Sequence, residues 1–522
     1  MGLLPAKKIL LALLSGLLIT VSFPPLKTDW FIWVSIIPLL IAIEETTPGA
    51  AFRLGIISGL SHYVSLIYWI TNVLSTYGGL NFFISIFILL LLCVYLSLYM
   101  GIFSLLTTLF SASRIKILFF AGVWVSLEYL RELLFTGFPW GLLGYSQYNR
   151  LELVQIADIT GVYGISFIIV AFNVFFFQLI LKNKKIIKDR YFISETLILI
   201  LLASATVYYG NNRLSRYSID KPDTPQVNIA VIQGNIDQAV KWDEEFQEET
   251  IDKYISLTRS SFHTKPDIIV WPETAVPFFF QDRNPLSEKI LNLARESDAH
   301  LIFGSPAYKR KSGSVLFYNT AWYITPEGNI GGQYNKNHLV PFGEYVPLHK
   351  FLPFVYRLVP AAGDFSKGES IDPLLLDKIS SGILICYEII FPEIARRQVL
   401  KGASILINIT NDAWFGLSSA PYQHLFIAVF RAIENRRPLV RSANTGISAI
   451  VAPTGKVEIQ GELLTEEVLT GRITPEKDFL TFYSRYGDVF ALGMLILCLI
   501  KISIGLCCPG SRKKETENKN IK

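Results

Sequence analysis

Seven apolar runs crowd the first 210 residues of this chain, and nothing comparable returns until an eighth run near the C-terminus. The seven lie at about 8–23, 29–43, 54–74, 82–111, 117–135, 162–181 and 192–209, and the eighth at about 487–506. Crossing the hydrocarbon core of a bilayer takes about 20 apolar residues. A spanning segment must also satisfy its own backbone hydrogen bonds, which a single segment does only as a helix. A chain patterned this way reads as a multi-pass helical membrane domain of about eight spans, with a long polar insert before the last. Composition agrees. Of the 522 residues 51% are hydrophobic and 17% charged, where soluble domains carry roughly 25% charged residues.

The first two runs are short, and Pro24-Pro25 between them forces a tight turn, so the pair reads as a steep or partly re-entrant hairpin. Lys7 and Lys8 before an apolar core resemble a signal peptide. No small-x-small site follows Val21, however, and further apolar runs do, so the segment reads as an uncleaved anchor. Lysine and arginine set orientation. Lys7 and Lys8, Arg53, Arg114 with Lys116, and Lys182, Lys184, Lys185, Lys188 and Arg190 share one side if every run crosses. That side is cytoplasmic, which puts the polar insert outside and returns the last run to a basic tail, Arg512-Lys513-Lys514. Glu128 and Arg131, at i,i+3 spacing, are expected to pair near an interface. Gly137-Phe138-Pro139-Trp140 is expected to form an interfacial turn where lipid approaches the outer domain.

The chain divides into residues 1–210, a transmembrane domain; 211–225, a linker marked by Pro222 and Pro225; 226–476, a polar domain; 477–508, a C-terminal transmembrane helix; and 509–522, a basic tail. Strand and helix signals alternate in the polar domain, from a strand at Gln226–Gln233 and a helix at Glu244–Ser261 to strands at Leu439–Ser442 and Ile447–Ala452. Alternation broken by hairpin turns predicts layered α/β with a mixed sheet. The turns Pro326-Glu327-Gly328-Asn329 and Pro453-Thr454-Gly455-Lys456 sit in comparable places in the two halves, which hints at an internal pseudo-repeat.

Three chemically different groups follow buried strands here, where α/β sheets place ligand sites. Glu273 follows Ile268-Ile269-Val270-Trp271-Pro272, Lys336 follows Gly332-Gln333-Tyr334-Asn335, and Cys386 ends Ser381-Gly382-Ile383-Leu384-Ile385. A lone cysteine at a strand end is usually a small buried hydrophobe. Beside an acid and an amine it reads as a nucleophile. A free thiol titrates near 8.5 and burial raises it, so Cys386 needs a base. Glu273 is the candidate to take its proton and return it to a leaving group. Lys336 is the candidate to neutralise the oxyanion of a tetrahedral intermediate. Glu344, in Val340-Pro341-Phe342-Gly343-Glu344, either orients the lysine or receives the proton of an amine. Trp414-Phe415-Gly416 reads as an apolar lid, because exposed aromatics beside a site point to lipid contact. Five cysteines without regular spacing give no disulfide framework and no zinc pattern, and no metal or cofactor is expected. No basic run is interleaved with aromatics as a nucleic-acid surface requires.

Trp271-Pro272-Glu273-Thr274, Asn335-Lys336 and Cys386-Tyr387-Glu388, with Glu344 in addition, resemble the glutamate–lysine–cysteine signature of the carbon–nitrogen hydrolase, or nitrilase, superfamily. The resemblance implies a four-layer αββα sandwich. With the spans included, nearly all of residues 10–505 resemble the bacterial apolipoprotein N-acyltransferase family. The segments that carry this are Phe138-Pro139-Trp140, Gly144-Tyr145-Ser146-Gln147, Lys241-Trp242-Asp243, His338-Leu339-Val340-Pro341-Phe342-Gly343-Glu344 and Asn411-Asp412-Ala413-Trp414-Phe415-Gly416. This implies a ping-pong acyl transfer in the bacterial inner membrane, with the catalytic domain on the periplasmic side. Cys386 takes an acyl chain from a phospholipid, phosphatidylethanolamine at sn-1, as a thioester. The α-amine of a diacylglyceryl-cysteine on an apolipoprotein then accepts it. The resemblance further implies that Trp242, Asn319, Tyr387 and Glu388 support the pocket or its mobile loops. Membrane lipids and the apolipoprotein are the expected partners, and nucleic acid is not. Two other readings compete: a membrane-tethered amidase or nitrilase using water as acceptor, and a transporter or scaffold with an inactive domain. The spans lack the paired broken helices of many transport folds.

Overall fold

The computed structural model describes residues 4–181, 186–217, 225–238, 241–311, 314–345 and 365–507. Lys182, Lys184, Lys185, Pro222, Cys508 and the basic tail lie outside these residues, as does the side chain of Cys507. The chain folds as two compact units: Met1–Tyr68 with Phe87–Asn212 and Asp488–Lys522, and Trp69–Ile86 with Arg213–Gly487.

The first unit is helical. Among the described residues three helices are long and apolar enough to cross a membrane: Phe82–Leu109, Tyr163–Leu181 and Arg190–Tyr217. A fourth crossing exists if Pro48–Leu66 and Ile70–Tyr77, bent at the break between them, form one span. Asp29–Ile43 and Val489–Gly505 are apolar but shorter. The first two runs fold as a 16-residue helix, Ala6–Val21, and as a 3-10 turn, Asp29–Trp33, leading into Ile37–Ile43. Small residues let helices approach closely where no hydrophobic drive separates protein from lipid. A Cβ added at Gly16 would stand 2.2 Å from the Ser58 carbonyl oxygen on helix Pro48–Leu66.

One expectation fails in this unit. Among the described residues no ion pair joins Glu128 to Arg131. The Arg131 guanidinium donates to the Tyr63 hydroxyl, while Glu128 Oε1 accepts from Trp124 Nε1 and the Leu143 amide, each at 2.9 Å. Neighbouring segments present partners to each charge separately, so helical spacing alone does not pair them. Trp140 is 2% exposed, while Leu133, Leu134 and Phe135 just upstream are exposed.

The second unit holds two six-stranded sheets. In chain order the strands are β1 Val227–Gln233, β2 Ile268–Val270, β3 His300–Lys311, β4 Ser314–Ile324, β5 Ile330–Asn335, β6 Leu374–Leu376, β7 Ile379–Ile385, β8 Ile405–Thr410, β9 Leu439–Ala443, β10 Ala449–Val451, β11 Val457–Gln460 and β12 Glu467–Ile473. One sheet runs β12-β1-β2-β3-β4-β5 and the other β6-β7-β8-β9-β10-β11. In each, three parallel strands are followed by two antiparallel ones and flanked by an antiparallel edge. The two sheets therefore share order and sense, so β1 corresponds to β7 and β2 to β8.

Alternation decides the layering. Val227, Ile229 and Val231 of β1 share one core with Ile383 and Ile385 of β7 and Ile405, Ile407 and Ile409 of β8, which puts the sheets face to face. Ala230 and Ile232 point the other way and pack with Ile251 and Tyr254 of helix Glu244–Ser260 and Ile290 and Leu293 of helix Pro285–Ser297. Helices Pro392–Leu400 and Ala420–Asn435 pack against the second sheet. Both faces of the inner strands are buried, which explains their near-continuous apolar runs. The arrangement is an α/β sandwich of two face-to-face sheets with helices packed against each.

Candidate active site

Parallel neighbours place their C-terminal ends at one edge of a sheet, and the site forms there. Glu273 follows β2, Lys336 follows β5 and Cys386 follows β7. Three turns near this edge hold non-glycine residues in the left-handed region: Asn235 after β1 (φ +48°), Thr274 beside Glu273 (φ +48°) and Cys386 itself (φ +50°). Each such residue stores about 1–3 kcal/mol and persists only where its surroundings hold it.

The Lys336 side chain is 1% exposed, with Nζ 2.9 Å from Glu344 Oε1 and 3.7 Å from Glu273 Oε1. Asn319, on β4, sends Nδ2 to both carboxylates, at 2.7 Å to Glu273 Oε1 and 2.9 Å to Glu344 Oε1. Glu273 Oε2 accepts the Asn411 amide at 2.8 Å, and Glu344 Oε2 the Val340 amide at 2.9 Å. Every carboxylate oxygen of the pair thus has a donor. Asn411 follows β8 as Glu273 follows β2, so corresponding positions of the two sheets meet in this bond.

Charge follows from these contacts. Burial works against the Lys336 ammonium, but Glu344 and then Glu273 more than offset it and hold its pKa above the usual lysine range. Burial pushes the Cys386 thiol well up; Glu273 adds to the rise, and Lys336 opposes it. The resting sulfur is a thiol beside a base.

Glu388 is fully buried and ties the cysteine turn to the lysine segment. Its Oε2 accepts the Ile385 amide at 2.8 Å, and its Oε1 accepts the amides of Asn337 and His338 at 2.6 and 3.1 Å and the Tyr334 hydroxyl at 3.0 Å. Burial moves its carboxyl up to about 7, against the pull of these N–H donors. Tyr387 stands edge-on to Phe391 at 5.2 Å, and His338 stacks on Phe391 at 3.7 Å. Trp242 is 48% exposed and precedes helix Glu244–Ser260, which Asp243 caps. Trp414 and Phe415, on the 3-10 turn Asp412–Phe415, are half-buried and set their rings edge-on to Tyr77 at 5.1 Å and Trp69 at 4.9 Å. Among the described residues no group of three or more His, Cys, Asp or Glu is arranged to hold a metal ion.

Comparison with known proteins decides the family. The carbon-nitrogen hydrolase family matches residues 228–477, and the apolipoprotein N-acyltransferase N-terminal domain matches residues 15–175. An apolipoprotein N-acyltransferase of Geobacter metallireducens is 45% identical over 490 residues, covering 94% of this chain and 93% of that protein. Its counterpart in Haemophilus influenzae is 33% identical over 501 residues, covering 94% of each. The chain belongs to the apolipoprotein N-acyltransferase family. Among solved structures, a carbon-nitrogen hydrolase from Helicobacter pylori G27 aligns with 48% of this chain and 89% of its own at 22% identity, TM-score 0.37.

Other buried groups at this apolipoprotein N-acyltransferase family site escaped sequence reasoning. Asp412, 1% exposed, accepts from Thr410 Oγ1 at 2.8 Å, His424 Nδ1 at 3.0 Å and Arg441 Nη2 at 2.6 Å. Burial alone would raise its pKa, but Arg441 and His424 hold it down to about 2. Lys241, fully buried, reaches the Glu273 carbonyl oxygen at 3.3 Å and Thr274 Oγ1 at 2.8 Å. The available signal was a charged residue within or beside an apolar segment, as with Arg441 in Leu439-Val440-Arg441.

Proposed function

We propose that this chain moves a fatty acyl chain from a phospholipid to the N-terminal α-amine of diacylglyceryl-cysteine on an apolipoprotein, through a thioester on Cys386. Family membership supports the reaction class. The observation that carries the mechanism is the buried cluster in which the Lys336 ammonium stands 3.7 Å from Glu273 Oε1, within electrostatic reach of Cys386.

Glu273 takes the Sγ proton as sulfur attacks the ester carbonyl. A C–S bond forms and the carbonyl electrons move to oxygen, beside the Lys336 ammonium. One such preorganised donor is worth roughly 10²–10³-fold. The intermediate collapses by breaking the ester C–O bond. Glu273 returns its proton to the departing alkoxide, and lysophospholipid leaves. The acceptor amine then attacks the thioester carbon and the C–S bond breaks. Glu273 carries the amine's proton to the leaving thiolate, so amide and thiol are the products. Glu344 keeps Lys336 oriented in both halves. Asn319, Tyr387 and Glu388 hold the pocket, and Trp242, Trp414 and Phe415 act at its mobile rim. A thioester awaiting an amine requires exclusion of water, and half-buried aromatics suit that task.

The donor is phosphatidylethanolamine. The chain crosses the bacterial inner membrane eight times and carries its catalytic domain on the periplasmic side, the arrangement favoured by the distribution of lysine and arginine. The test is mass spectrometry of purified full-length protein after exposure to phosphatidylethanolamine. An acyl adduct on the Cys386 peptide, removed by a diacylated lipopeptide, is the expected outcome. An adduct that persists in Cys386→Ala, or release of free fatty acid without amide, rejects the assignment.

A further inference from the structure

A lysine with no solvent exposure needs a reason. Charged side chains are almost never fully buried unless paired, and among the described residues no carboxylate lies within ion-pairing distance of Lys241. Its partners are two oxygens of one turn. Nζ donates to Thr274 Oγ1 at 2.8 Å and to the Glu273 carbonyl at 3.3 Å. Burial drives its pKa down to about 7, with Glu273 opposing. A methionine would fill the same space without this desolvation, so the amine's use lies in its two hydrogen bonds.

The turn it reaches is strained. Thr274 sits at φ +48°, and for a β-branched residue that is a genuine outlier. Strand β3 lies close against the same turn. A Cβ built at Gly304 would stand 2.4 Å from the Thr274 amide nitrogen and 2.6 Å from Glu273 Cα. Gly304 also donates its amide to the Pro272 carbonyl at 3.1 Å. The backbone of Glu273 and Thr274 is thus packed closely against β3, and the turn is also bonded to Lys241. Only after that is its carboxylate met by Asn319 and Asn411.

We propose that Lys241 is a positioning residue for Glu273. It holds the left-handed Thr274 turn through two hydrogen bonds and fastens to it the segment that carries Trp242, the next residue in the chain. This rests on the reading of Glu273 as the general base and adds the device that aims it. A displaced catalytic group can lower the rate about 10²-fold for a 1 Å misplacement. Contact of an acyl donor with the half-exposed Trp242 then bears on the same amine that sets the base.

The experiment measures single-turnover lysophospholipid release from headgroup-labelled phosphatidylethanolamine by full-length protein in micelles. Lys241→Met is expected to lower the acylation rate constant about 10- to 100-fold, with the half-saturating donor concentration unchanged. Lys241→Arg, which keeps the donors, recovers part of the rate. Thr274→Gly in the Lys241→Met background also recovers part, because glycine adopts positive φ without strain. Thr274→Ala removes one of the two acceptors and also the β-branch, keeps the Glu273 carbonyl bond, and shows a smaller loss of the same kind, which preserves the test should Lys241→Met fail to fold. A wild-type rate constant in Lys241→Met, a loss confined to half-saturation, or no recovery from Thr274→Gly overturns the proposal. Glu273→Gln run alongside separates the two claims. If it acylates, the base assignment falls; if it is inactive while Lys241→Met is unimpaired, only the role of Lys241 falls.

Discussion

Replacing Glu344 with glutamine tests whether Lys336 must be held by a second carboxylate. Glu344 Oε1 accepts from Lys336 Nζ and from Asn319 Nδ2, both at 2.9 Å, and Oε2 accepts the Val340 amide at 2.9 Å. Glutamine offers one oxygen to these donors. Whichever way the amide turns, its NH2 faces an N–H, and a buried donor left unmatched costs about 1–3 kcal/mol. The gross attraction at 2.9 Å is roughly 6 kcal/mol at an effective dielectric near 20, and desolvation of both ions offsets most of it. What remains is the worth of a charge-assisted hydrogen bond, about 1.5–3 kcal/mol. If that bond is what aims Lys336 at the oxyanion, acylation slows roughly 10- to 150-fold. Binding of donor, which meets the cleft through its chains, stays unchanged. The assay is burst-phase lysophospholipid release across a range of donor concentrations. Glu344→Asp, a charge on a shorter stem, should fall between wild type and Glu344→Gln. A Glu344→Gln rate constant within about twofold of wild type, or a change in half-saturation alone, would refute the reasoning.

Other consequences are as direct. Cys386 is held as a thiol by burial and by Glu273, so the thiolate fraction lies below that of free cysteine at every pH where the two differ. Iodoacetamide labelling of the Cys386 peptide should therefore climb through pH 10, where a free thiol with pKa near 8.5 has already levelled; a plateau below pH 8 contradicts this. Glu388→Gln sets an NH2 either against the Ile385 amide or against the amides of Asn337 and His338, depending on which way the side-chain amide turns. A loss of about 1–3 kcal/mol, read as a lower thermal midpoint, should accompany slower acylation, and an unchanged midpoint argues against the four-donor cage. Gly446→Ala brings a Cβ to 2.4 Å from Asp412 Oδ2, and overpacking of this kind costs about 1–3 kcal/mol. Unaltered heat stability in that variant would show that the Asp412 cluster yields easily.

Cys386 and Glu273 stood out as site candidates because each follows an apolar strand, whereas Lys336 follows the polar, largely uncovered strand Ile330–Asn335 and stood out only by the motif around it. Glu344 was legible by its place in a short motif. Lys241 and Asp412 were visible only as members of quoted segments. Their partners lie on other strands, with His424 and Arg441 distant in sequence from Asp412, and no local pattern announces such pairs. The Glu128–Arg131 pairing failed for the same reason. Helical spacing brought the two charges near each other, but Tyr63, Trp124 and Leu143 supplied the partners.

Periodicity and length determined that an apolar helical region accompanies a layered α/β domain, because apolar runs and alternating runs depend only on local order. The matched order and sense of the two six-stranded sheets could not be read that way. β6, β11 and β12 are short or half-polar, and β12 pairs with β1 across more than two hundred residues of chain. Only tertiary structure decided that Asn411 would donate to Glu273, that Asn319 would bridge two carboxylates, and that Lys241 would bond to the Glu273–Thr274 turn. Such contacts are set by how strand ends converge, and a one-dimensional pattern carries the residues but not that convergence.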